Sequence, residues 1–217
     1  MTDRTKNETE TEAEAGLRRR LIDAGVELVH AEGAQALSLR EIARRAGVSH
    51  GAPRRYFPTH LDLLSAIARE GFAELRDRVT AALAAGSDDP RAELDALARV
   101  YLDFALTRRG MYELMFRHDL LDSGRLGLRE TSLPLFDLLA RLVARARTEP
   151  GPDSSPELDP ESGPEPAAVA AALWANLHGI AQLWGWGSLQ LAARTDDVEP
   201  LLRTALDAHV GPAGRAR

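Results

Sequence analysis

The chain has 217 residues, 44% apolar and 28% charged, with a net charge of −6; these values fit a soluble globular protein of one or two domains with a core of its own. No cysteine is present, which excludes a disulfide framework, thiolate chemistry and a cysteine-built metal site. No apolar run reaches the roughly 18 residues of a membrane-spanning helix and the acidic N-terminus is unlike a signal peptide, so a cytoplasmic protein without membrane contact is expected.

Charge is unevenly distributed. Residues 1–16 carry −3, residues 17–60 carry +4 from eight arginines against four acids, and residues 61–217 carry −7. Phosphate contact needs a local basic surface rather than a basic protein. The middle stretch is therefore where a polyanion would be met, unless its arginines form only a solvated face.

Residues 1–15 are acidic and poor in apolar side chains, the composition of a disordered tail. Leu17, Leu21, Ala24, Leu28 and Val29 then recur at helical spacing and predict a helix from Leu17 to Glu32, ended by Gly33. Arg18, Arg19 and Arg20 stand at its start, where the helix dipole disfavours cations. A nearby backbone phosphate would account for them, and so would plain solvent exposure.

The next stretch, Ser38 to Phe57, reads SLREIARRAGVSHGAPRRYF. Ser38 caps a helix over Leu37–Ala46, and Glu41 three residues on completes a capping box. Gly47 stops that helix, since glycine takes the left-handed conformation without steric penalty. Ser49 caps the following helix, Ser49–Phe57. Proline lacks an N–H and restrains the residue before it, so this helix must be short, with Pro53 near its N-terminal end. Helix, glycine turn and second helix form a helix-turn-helix layout, whose second helix enters the DNA major groove.

Thr59 caps a long helix, Leu61 to about Ala85. Further amphipathic helices are predicted over Pro90–Thr107, Arg108–His118 and Leu126–Thr148. Residues 149–166 hold six of the twelve prolines and six acids and read as a flexible acidic loop. Two helices follow, Ala167–Gly187 and Val198–His209. Small residues line one face of the first: Ala168, Ala172, Ala175 and Gly179. Two apolar faces on these late helices suggest self-association.

The N-terminal helix, SLREIARRAGVSHGA, the Tyr56-Phe57 pair, a proline and a capped long helix together resemble the TetR family of transcriptional regulators over residues 17–80. Trp174, His178 and Gly179 also resemble a TetR subgroup with a C-terminal Trp-His-Gly (WHG) domain. The resemblance implies an all-α fold: an N-terminal three-helix DNA-binding domain at 16–60, and a helical effector-binding and dimerisation domain at 61–217. Many family members have an aliphatic residue and a phosphate-touching tyrosine where Pro53 and Arg54 stand; the resemblance implies that Arg54 would supply the contact here as a cation. The resemblance also implies that the last two helices pair with a mate's, through Ala168, Ala172, Ala175, Gly179, Leu201, Leu202 and Ala205.

The expected function is a repressor that binds a palindromic double-stranded operator as a homodimer and is released by a small apolar or aromatic effector. Candidate DNA-binding residues are Arg18, Ser38, Arg40, Ser49, His50, Gly51, Arg54, Arg55, Tyr56 and His60, with His50 and Arg55 best suited to base readout. Candidate pocket residues are Tyr101, Phe104, Met111, Met115, Phe116, Trp174, His178 and Trp184, apolar and aromatic side chains with adaptable methionines. No catalytic constellation, metal cluster or cofactor motif is present: His118 and His178 lack evident partners. A helical dimeric scaffold without DNA recognition is the alternative.

Overall fold

A computed structural model describes residues 2–84, 86–117, 119–120, 127–148 and 164–212. Among these the chain forms ten α-helices and no strand. The expected acidic loop lies outside the described residues up to residue 163, as do His118 and Leu126.

The chain divides into two compact units, Met1–Ala73 with Arg108–Thr131, and Glu74–Thr107 with Ser132–Arg217. The first contains α1 (Thr2–Glu32), a 3-10 turn (Ala34–Ala36), α2 (Leu39–Arg45), α3 (Pro53–Tyr56), the start of α4 (His60–Leu83) and α6 (Arg109–Met115). The second contains the rest of α4, α5 (Pro90–Thr107), most of α7 (Leu128–Thr148), α8 (Pro166–Gly185), α9 (Ser188–Ala193) and α10 (Glu199–Val210).

Helix α1 begins at Thr2, so the backbone of the expected disordered tail is helical. Glutamate and alanine, frequent in that stretch, are good helix formers, and the helix that starts in the core at Leu21 simply continues outward through them. In the first unit α1 packs against α2, α3 and α6. Leu21, Leu28, Val29, Ile42, Phe57, Leu63, Leu64 and Ile67 are buried there with Met111, Leu114 and Met115. Glycines allow close approaches on both sides of α6. A Cβ on Gly71 of α4 would stand 2.6 Å from Met111 Cγ and Met115 Sδ, and one on Gly110 of α6 would stand 2.6 Å from the Val29 carbonyl oxygen.

In the second unit α8 packs against α5, α9 and α10. Its buried face is Val169, Ala170, Leu173, Leu177 and Ala181. Arg91 on α5 bonds Asp207 at 2.6 Å and the Gly211 carbonyl, and Arg99 bonds Asp95 and Glu199, so ion pairs tie α10 to α5 along its length. Leu202 and Ala205 are buried in this core. They are already covered within this unit: periodicity marked an apolar stripe but not the partner it meets. Helix α9 was not anticipated. Trp186 caps α8 and Gly187, at φ 78°, turns the chain into it.

Candidate functional site

The first unit's helix pair is set by local chemistry. Ser38 Oγ accepts the Glu41 N–H at 3.2 Å, capping α2, a contact of about 1 kcal/mol. The other half of the expected capping box is replaced. The Glu41 carboxylate instead takes hydrogen bonds from Arg44 at 2.5 and 2.8 Å and from Arg45 at 3.1 Å. These bonds, Arg44's first, lower its pKa to about 2. Gly47 at φ 68° then ends the helix: its N–H meets the Arg44 carbonyl and the Val48 N–H reaches back to Ala43, a Schellman closure.

Helix α3 is four residues long with Pro53 at its first position, the short helix that proline requires. Ser49 does not cap it. Ala52 holds that position, and the Ser49 carbonyl accepts the Ala52 N–H within the preceding turn. The Ala52 N–H, a donor that a Ser49 hydroxyl cap would have served, is thus taken by the main chain. Thr59 and Asp62 cap α4 reciprocally: Thr59 N–H and O–H donate to Asp62 at 2.9 and 2.8 Å, and Asp62 N–H to Thr59 Oγ1 at 3.1 Å.

The eight arginines of residues 17–60 fall into two groups. Arg19 bonds Asp23 at 2.8 Å and Glu70 at 3.1 Å, Arg44 and Arg45 are held by Glu41, and Arg45 also meets Glu32. Among the described residues no carboxylate lies within ion-pair distance of Arg18, Arg20, Arg40, Arg54 or Arg55, and all five are exposed. Of the expected contact residues, Ser49, His50 and Gly51 lie exposed in the turn before α3, and Tyr56 is half-buried. His60 opens α4; partial desolvation lowers its pKa, against a hydrogen bond to the Leu37 main chain, with Arg117 adding to the lowering.

The expected pocket residues are divided between the two units. Met111, Met115 and Phe116 belong to the first unit, where the methionines cover Gly71 and Phe116 meets Phe72 and Tyr112 edge-on at 5.7 and 5.0 Å. Tyr101, Phe104, Trp174, His178 and Trp184 belong to the second. There the Tyr101 hydroxyl accepts the Trp174 indole N–H at 3.2 Å and lies 3.1 Å from His178 Nδ1. Indole only donates, so the Tyr101 oxygen accepts from Trp174, and the direction of the Tyr101–His178 bond follows the tautomer of the imidazole. Burial lowers the His178 pKa. Phe136, which sequence reasoning did not select, stands edge-on to Trp174 at 6.5 Å. Its helical spacing in α7 was visible, but not its neighbour. Phe104 is fully buried, under the Arg78 guanidinium.

On α8 the small-residue face is solvent-facing: Ala168, Ala172 and Ala175 are exposed, and a Cβ on Gly179 would meet nothing within 4 Å. Leu201 is half-buried. Leu183, Trp186 and Leu191 are exposed large apolar residues. Among the described residues no three metal-ligating side chains cluster, and no helix is long and apolar enough to cross a membrane.

Residues 21–67 match the family model "Bacterial regulatory proteins, tetR family". Residues 94–209, more than half of the chain, match "Tetracyclin repressor-like, C-terminal domain". The chain belongs to the TetR family. The Trp174–Gly179 run lies inside the second match. Among curated TetR relatives, the HTH-type transcriptional regulator BetI of Rhizobium meliloti (strain 1021) is 39% identical over 83 residues, 38% of this chain and 40% of that protein. The match thus spans less than half the length of that relative. A solved protein of unknown function from Rhodococcus sp. RHA1 is 30% identical, with a TM-score of 0.69 over 89% of this chain and 93% of that one. The multidrug binding protein EbrR, solved in complex with imidazole, is 28% identical, with a TM-score of 0.54 over 92% and 98%.

Proposed function

We propose that this TetR-family protein is a transcriptional repressor. It binds a palindromic operator as a homodimer, and a small apolar or aromatic effector releases it. The observation that carries the reading is the division of the arginines. Arg44 and Arg45 have carboxylate partners, whereas Arg18, Arg40, Arg54 and Arg55 keep their charge and donors for an outside anion. Uncompensated arginines around a helix-turn-helix suit phosphate contacts, and His50 and Arg55 suit base edges.

The effector is read at Tyr101, Trp174 and His178, an aromatic group with a polar centre, as in pockets that take flat apolar ligands. That EbrR forms a complex with imidazole supports a small heteroaromatic occupant. The exposed face of Ala168, Ala172, Ala175 and Gly179 supports close pairing of two copies. Helix α4 carries residues of both units, so an effector that displaces its second half changes the setting of its first. Linkage then requires DNA to weaken effector binding by the same factor. The protein acts in the cytoplasm and is not an enzyme.

Selection of bound sequences from random duplex DNA tests the reading. Enrichment of a palindrome, its half-sites one helical turn or more apart, is the expected result. No enrichment at low ionic strength, or a strictly monomeric protein, would overturn it.

A further inference from the structure

We infer that Phe57 is a platform that pre-positions Arg18 as a phosphate fork; the inference rests on the DNA-binding reading above. The Arg18 guanidinium carbon lies over the Phe57 ring, 5.2 Å from its centroid. Phe57 itself is 1% exposed and forms the C-terminal cap residue of α3, next in sequence to Arg54, Arg55 and Tyr56. Its ring is fixed by the core, so the side chain stacked on it is held beside the end of α3.

The mode of holding matters. An arginine held by a carboxylate gives up N–H donors and loses net charge, as Arg19, Arg44 and Arg45 do. An arginine held by a ring face gives up neither. The ring quadrupole attracts the cation as a whole and, unlike a carboxylate, neutralises none of its charge and has no oxygen to occupy its five N–H donors. Among the described residues no carboxylate is within ion-pair distance of Arg18. Three consecutive arginines thus have three states: Arg18 stacked, Arg19 ion-paired, Arg20 exposed. Only Arg18 is both ordered and fully charged, and a planar fork ordered in advance loses less entropy on meeting a phosphate oxygen pair. Phe57 is a positioning residue in this scheme; it touches no DNA.

The test is a double-mutant cycle read as affinity for mixed-sequence duplex DNA over a salt series, using the full chain. Arg18→Ala lowers affinity and reduces the slope of log K against log salt by about 0.9 per reader. Phe57→Leu keeps every charge. It lowers affinity about threefold per reader, the scale of an exposed cation–π contact, and leaves the slope unchanged. In the Arg18→Ala background Phe57→Leu has no effect. A Phe57→Leu protein that is folded and binds like the unsubstituted one overturns the platform, as does an equal loss in both backgrounds. A second readout needs no core substitution. Nitrogen relaxation of the free protein is expected to show Arg18 Nε as rigid as that of ion-paired Arg19 and more rigid than that of Arg20; equal mobility of Arg18 and Arg20 overturns the proposal. Failure of the unsubstituted protein to bind any duplex instead overturns the DNA reading, and this inference with it.

Discussion

At the scale of single residues, His178 links the aromatic group of the second unit to pH. Burial lowers its pKa below the ordinary value of about 6.5, and the Tyr101 hydroxyl lies 3.1 Å from its Nδ1. In the unfolded chain the imidazole takes up its proton near pH 6.5, before the folded one does. The unfolded state therefore binds more protons in the window below about pH 6.5, and stability falls as pH falls there. Above that window both forms are neutral and the contribution is whole. Melting temperatures measured from about pH 7.5 to about pH 5.5 are expected to decline, and to decline less in His178→Gln. His60 acts in the same direction, since partial desolvation lowers its pKa too, so His60→Gln is the necessary companion. An undiminished pH dependence in His178→Gln would show that the Tyr101–His178 bond does not set it.

At the scale of elements, α6 meets the end of α1 main chain to main chain. A methyl group at Gly110 would fall 2.6 Å from the Val29 carbonyl oxygen and 3.0 Å from Gly33 Cα, both main-chain atoms. Backbone cannot rotate away as a side-chain tip can, so Gly110→Ala must displace one helix. The expected destabilisation is about 1–3 kcal/mol, read as a shift of the denaturant midpoint. Gly71→Ala meets the Met111 and Met115 side chains instead, and methionine re-packs readily, so its shift should be the smaller. The reverse order would mean that α6 is held loosely against α1.

These elements also show what the sequence could tell. The start and stop of α2, the start of α4 and the shortness of α3 rest on neighbours within a few residues: Ser38 with Glu41, Gly47 with Arg44, Thr59 with Asp62, and Pro53 with the residues before it. Such chemistry is local and therefore legible. The Glu41 carboxylate was harder, because two arginines on its own helix compete with the cap for it. Side-chain periodicity showed that Met115 and Tyr101 each lie on an apolar face. It did not show that one faces Gly71 in the first unit while the other bonds His178 in the second. That knowledge depends on contacts between residues far apart in the chain. The same limit turned Leu202 and Ala205 into interface candidates when α5 and α8 already cover them.

At the scale of the whole molecule, the unit that holds the arginines is not a contiguous piece of chain. It combines Met1–Ala73 with Arg108–Thr131. The polypeptide passes between units within α4, at the single residue Arg108 separating α5 from α6, and within α7. A fragment ending at Leu83 would retain Arg18, Arg40, Arg54 and Arg55 and lose α6. The surface of α1 and α4 otherwise covered by Met111, Leu114 and Met115 would then be bare, a large exposed apolar patch. Such a fragment is expected to aggregate in light-scattering measurements; a monodisperse, cooperatively melting one would show that α6 is dispensable. The discontinuity also bears on engineering. Transplanting the arginine-bearing end onto a different sensor calls for three splice points rather than one, because the piece that completes it is encoded on the far side of the sensor's own first helix.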